Sequence, residues 1–84
     1  MAELASLRNI GKEMERKLKA VDISTAEELK QIGSEEAFMR LKFHYPNVCL
    51  VHLQTLEGAV SNTEYNQLPE DVKRRLKDFN NNLK

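Results

Sequence analysis

Two copies of one short device constrain this chain most. Asn9-Ile10-Gly11 runs into a helix-like pattern, and Gln31-Ile32-Gly33 runs into another. Glycine supplies backbone angles that other residues resist, so each copy reads as a bend. Between the bends lies Asp22-Ile23-Ser24-Thr25, a turn in which Ile23 is expected to point inward. Met14, Leu18 and Val21 recur at i, i+4, i+7 and predict a helix over 12–21. Leu29 and Ile32 predict a short second helix, and Ala37, Phe38 and Leu41 the inner face of a third over about 35–43. The second helix starts at a capping box. Thr25 with Glu28 and Ser24 with Glu27 match it equally well. Ser34 reads as the N-cap of the third helix, with Glu35 and Glu36 at the positive end of its dipole.

The rest of the chain continues the helical pattern. Proline at 46 disfavours helix at Tyr45, and Asn47 stands ready to cap the next helix. Residues 48–60 are the most apolar segment, with Cys49, Leu53, Leu56 and Val60 on one face, which predicts a central helix. Gly58 costs a helix interior about 1 kcal/mol relative to alanine, so it marks a close contact or the helix end. Tyr65 and Leu68 read as anchors within a polar loop, and Pro69 as the first residue of a last helix. Val72, Leu76, Phe79 and Leu83 give that helix its apolar face, and Asn80-Asn81-Asn82 predict a frayed end. No strand-like alternation appears. The expected fold is all-α: one domain over 1–84, a compact bundle of about five helices. Its helix-hairpin-helix-like part covers about 7–43, and its C-terminal helices about 47–60 and 69–80.

Composition removes several classes of function. The 84 residues carry 13 Lys+Arg against 13 Asp+Glu, so the basic excess usual in dedicated nucleic-acid binders is missing. A single cysteine excludes an internal disulfide and suits a reducing compartment. No apolar run approaches the roughly 20 residues that span a bilayer, and the N-terminus lacks signal-peptide character. The expected location is the cytoplasm, with no membrane partner.

An apolar residue plus glycine before a helix start is the core of the helix-hairpin-helix unit. Its helix-start amides hold a phosphate oxygen. The first bend partly meets this need, with Asn9 standing where DNA-binding versions carry a further glycine: Arg8, Asn9, Gly11, Lys12 and Arg16 are the candidate nucleic-acid contacts. The second bend is guarded by Glu35 and Glu36, which repel phosphate. Lys73, Arg74, Arg75 and Lys77 read first as the solvated face of the last helix. Cys49 and His52, with His44, lack the paired spacing of a metal site and read as a buried cysteine and a partly buried histidine. Nothing proposes an oxyanion site, a catalytic constellation, a metal, a cofactor or a small-molecule substrate.

Taken together, the pieces resemble the C-terminal domain of TfoX-type (Sxy-like) regulators of DNA-transformation competence. They are Leu7-x-Asn9-Ile10-Gly11, Leu18, Ile23-x-Thr25-x-x-Glu28-Leu29, Ile32-Gly33-Ser34-x-Glu36-Ala37-Phe38, Leu41, Leu50, Leu53, Leu56-Glu57-Gly58-Ala59 and Leu68-Pro69. The resemblance covers nearly the whole chain. It departs where Asp22 replaces the family's usual glycine and Tyr65 its usual tryptophan. The family's N-terminal domain is absent, so the chain reads as a stand-alone version. The resemblance implies a non-enzymatic regulatory domain, expected to act through contacts with a protein partner or a second copy. The alternative is a nucleic-acid-binding module built on the first Ile-Gly bend.

Overall fold

The computed structural model describes residues 3–83. The chain is helical where the 3.6-residue period of its apolar side chains predicts helices. Helix α1 spans Lys12–Ala20, α2 Ala26–His44, α3 Leu50–Ser61 and α4 Glu70–Asn82; single 3-10 turns lie at Leu4–Ser6 and Tyr65–Gln67. There is no strand among the described residues, only an isolated bridge between Glu3 and Thr25.

Among the described residues the helices form four continuous elements instead of about five, because the two helices expected on either side of Gly33 meet without a loop: α2 is two helices joined across a kink at Gly33, a single non-helical residue with φ 86° and ψ 165°. That conformation belongs almost exclusively to glycine, and one such residue turns the chain without requiring a loop. The Ser34 hydroxyl, at the start of the second half, is directed to Glu57 on α3. The first bend works differently. Gly11 has an ordinary extended φ of −96°, and the left-handed residue is Asn9 at φ 72°. Asp22 is also left-handed, at φ 67°, a position that asparagine and aspartate tolerate better than other side-chain-bearing residues.

The capping box of α2 resolves in favour of Thr25. Its Oγ1 accepts the Glu28 amide at 3.1 Å, while Glu28 Oε1 accepts the amides of Thr25 at 3.1 Å and Ser24 at 3.0 Å. Other boundaries move. Cys49, not Asn47, precedes α3, and Pro69 stands one residue before α4. The last helix extends through all three asparagines to Asn82.

One continuous core joins the helices. Leu18, Ile23, Leu29, Phe38, Leu41, Leu53, Leu56 and Leu76 are fully buried, and α2 and α3 form its main helix pair. Leu4 and Leu68 seal it from the two short turns. Ile23 points inward as its place in the turn predicts. Two expectations fail: Cys49 is exposed, and so is Tyr65, at 41% of its full surface. Loop closure over α3 falls to Gly58 instead. A Cβ on Gly58 would overlap the Asn9 side-chain nitrogen and the Thr63 carbonyl oxygen. The radius of gyration, 11.6 Å, matches the roughly 12 Å of a compact chain of this length.

Candidate functional site

The first bend brings its five predicted residues near one helix start, but most of them are already engaged. Arg8 Nη1 pairs with Glu64 Oε1 at 2.8 Å, and its Nε donates to Asn62 Oδ1 at 3.4 Å. Asn9 Nδ2 donates to the Thr63 carbonyl at 3.0 Å. These bonds strap the N-terminal segment to the α3–α4 connection, more than 50 residues away in sequence. Arg16 pairs with Glu13 one turn earlier on α1 and holds that carboxyl below the usual carboxylate range. Gly11 precedes the first turn of α1 without a side-chain cap, which leaves amides open there. Lys12 is exposed and enters no ion pair among the described residues. Against a phosphate stand Glu13 and Glu15 in the same first turn, where their charge already occupies the helix dipole.

The second bend builds a polar joint. Ser34, only 4% exposed, donates its hydroxyl to Glu57 Oε1 at 2.6 Å. The same oxygen accepts Arg75 Nη2 at 3.0 Å, and Arg75 Nε lies 3.7 Å from Glu35 Oε2. So Glu35 faces a cation rather than open solvent, and Arg75 leaves the predicted basic face to tie α4 to α2 and α3. Arg74 and Lys77 remain exposed on α4.

At the start of α3, the Cys49 amide donates to His52 Nδ1 at 3.1 Å, and Cys49 Sγ lies 3.5 Å from the same nitrogen. Partial burial, then the nearby Lys17 charge, holds the His52 imidazole below its ordinary value. Accepting the amide keeps Nδ1 unprotonated. The pair caps a helix. Among the described residues no group of three or more His, Cys, Asp or Glu side chains is placed to hold a metal ion.

The surface that sequence periodicity did not single out lies on the outer side of α2. Glu36, Met39, Arg40 and Phe43 share one face at i, i+3, i+4, i+7, opposite the buried Ala37, Phe38 and Leu41. Phe43 is 87% exposed and Met39 40%. A shallow groove of about 490 Å³ runs beside them, walled by Val21, Asp22, Glu36, Met39, Arg40 and Phe43. Arg40 braces this wall: its Nε lies 3.3 Å from Glu36 Oε2 and its Nη1 donates to the Val21 carbonyl at 3.4 Å. Leu83 extends the apolar surface past Phe43 from the end of α4. The available signal was the off-face spacing of Met39 and Phe43, two large apolar residues two positions from the core residues Ala37 and Leu41.

The family model for the TfoX C-terminal domain matches residues 1–80. Two solved structures match the chain almost throughout. An uncharacterized protein from Listeria monocytogenes, in a triclinic crystal form, is 43% identical with a TM-score of 0.95, over 98% of this chain and 93% of that one. A protein of unknown function from Listeria monocytogenes, in a tetragonal form, is 41% identical with a TM-score of 0.94, over 98% of this chain and 100% of that one. No curated protein matches the chain.

Proposed function

The chain belongs to the TfoX C-terminal domain family, and from that premise we propose that it is a non-enzymatic, cytoplasmic regulatory domain related to competence regulators, acting through protein–protein contacts. The observation that carries this reading is Phe43. A phenylalanine 87% exposed on a helix face, flanked by Met39 and Leu83, is costly to leave in water, and a contiguous apolar surface of this kind marks a contact site. The neutral charge balance suits a protein surface better than a polyanion.

A second reading keeps the helix-hairpin-helix idea: the uncapped start of α1 with Lys12 as a phosphate contact. The engagement of Arg8 with Glu64 and Arg16 with Glu13 weighs against it.

Capture from native cytoplasm separates the two. Tagged wild-type chain, Phe43→Glu and Lys12→Glu are compared with and without nuclease, and bound proteins, including untagged copies of the chain itself, are identified by mass spectrometry. The expected result is a nuclease-resistant partner lost only in Phe43→Glu. A partner lost on nuclease treatment and in Lys12→Glu, with Phe43→Glu unaffected, overturns the protein-contact reading.

A further inference from the structure

We propose that the cleft between α1, the end of α2 and the start of α3 binds a small phosphate monoester, held by Lys17, Asn47 and His52 against a wall of Tyr45 and Pro46. The cleft encloses about 280 Å³; Lys17 enters it from α1, residues 44–48 from the end of α2 and the loop after it, and His52 from α3. The chain carries 13 acidic side chains, yet none lines this cleft, which takes a lysine and two histidines. Lys17 enters no ion pair among the described residues, and its ammonium lies 5.5 Å from the Tyr45 ring centroid. Glu13, one turn before it on α1, is taken by Arg16. After burial, the Lys17 charge is what holds the His52 imidazole below its ordinary value. An anion between the two relieves that opposition and meets no carboxylate.

The donors are in place. Accepting the Cys49 amide at Nδ1 leaves the proton of the neutral His52 ring on Nε2, which has no partner among the described residues. The Asn47 side-chain amide is equally unengaged, and Lys17 brings three N–H groups. The first turn of α3 carries no acidic residue, so the positive end of its dipole is uncompensated. A phosphate monoester matches this set: it carries about −1.5 to −2 charges near neutral pH and three strong acceptor oxygens. The wall is rigid before a ligand arrives. Lys42 Nζ donates to the Val48 carbonyl at 3.0 Å, and the Val48 amide to the Tyr45 carbonyl at 3.0 Å. Such a frame spares the cost of ordering a loop on binding. The volume lies just under the roughly 300–1,000 Å³ of pockets for drug-sized ligands, so the ester is a small one.

NMR titration of the full chain with glycerol phosphate, inorganic phosphate, glycerol and a short DNA single strand tests this. Saturable shifts at Lys17, Asn47, Val48 and the His52 ring are expected with glycerol phosphate, weaker binding with inorganic phosphate, and no shifts with glycerol. With the ester bound, the His52 ring is expected to titrate at higher pH, since a dianion then joins Lys17, His44, Tyr45 and the Cys49 thiol around it. Lys17→Met, which removes the charge and keeps an apolar stem, is expected to weaken binding about tenfold. Lys77→Met removes the same charge from an exposed site on α4 and is expected to change nothing. Asn47→Ala, on the exposed loop, is expected to weaken binding without touching the core. No saturation through the high millimolar range, shifts centred elsewhere, or equal effects of Lys17→Met and Lys77→Met overturn the site. Inorganic phosphate bound as tightly as the ester overturns the ester assignment. The DNA strand bound here more tightly than either overturns the small ligand.

Discussion

At Gly33 the backbone adopts φ 86° and ψ 165°, and nothing lies within 4 Å of where a Cβ would be. The need for glycine there is torsional. Gly11 occupies the same place in the sequence repeat, yet its φ is −96° and its surroundings are equally open. The two glycines are thus alike in motif and unlike in physics. Gly33→Ala is expected to lower stability by about 1–3 kcal/mol, the cost of forcing a side chain into such a region. Gly11 is the N-cap of α1, where glycine is preferred over alanine, so Gly11→Ala should cost only about 0.5–1 kcal/mol. Urea unfolding midpoints read both. Equal losses at the two positions would contradict the assignment of strain to Gly33 alone.

At the scale of helices, the start of α3 depends on a titratable group. His52 Nδ1 accepts the Cys49 amide only when unprotonated, and the folded chain holds its pKa below the ordinary value of 6.5. As pH falls, the unfolded chain therefore binds this proton first. Stability from the neutral ring is complete above about pH 6.5 and is lost as pH falls from there through the lower folded value. His52→Gln cannot titrate. The wild-type urea midpoint is expected to drop more steeply than that of His52→Gln below about pH 6.5, and to run parallel to it above. Parallel curves throughout would mean that the cap is indifferent to protonation. This cap also shows the limit of reading elements from periodicity. The inward stripes Met14/Leu18/Val21, Leu53/Leu56 and Val72/Leu76/Phe79 were legible because burial imposes a 3.6-residue period. Where each helix starts was less so. The apolar run at 48–50 continues the period across the boundary, whereas the backbone turns extended at Cys49 and exposes its side chain. The break in α2 was visible as a glycine, but a single residue's torsion does not announce whether a loop will part the two helices. In the candidate sites, Arg8 and Asn9 looked available because their partners Glu64 and Thr63 lie far along the chain, beyond any local pattern.

For the whole molecule, the Ser34–Glu57–Arg75 joint likewise links residues that are not sequence neighbours, 23 and 18 positions apart. Glu57 Oε1 receives a hydroxyl from α2 and a guanidinium from α4, so one carboxylate on α3 holds three helices in register. Its members are not equal. Ser34 is buried and the Glu57 side chain only 16% exposed, so their bond is a charge-assisted one shielded from water, worth roughly 1.5–3 kcal/mol. Arg75 is 53% exposed, and its pairs with Glu57 and Glu35 are screened to about 0–1 kcal/mol. Glu57→Ala is therefore expected to cost about 2 kcal/mol, because it also strands the buried Ser34 hydroxyl. Arg75→Ala should cost about 0.5 kcal/mol. Ser34→Ala combined with Glu57→Ala should cost less than the two losses added, since the first substitution removes the group the second leaves unpaired. A double-mutant cycle by urea unfolding measures the difference. Additivity within about 0.3 kcal/mol would show that the two residues contribute independently, and that register rests on the apolar core alone.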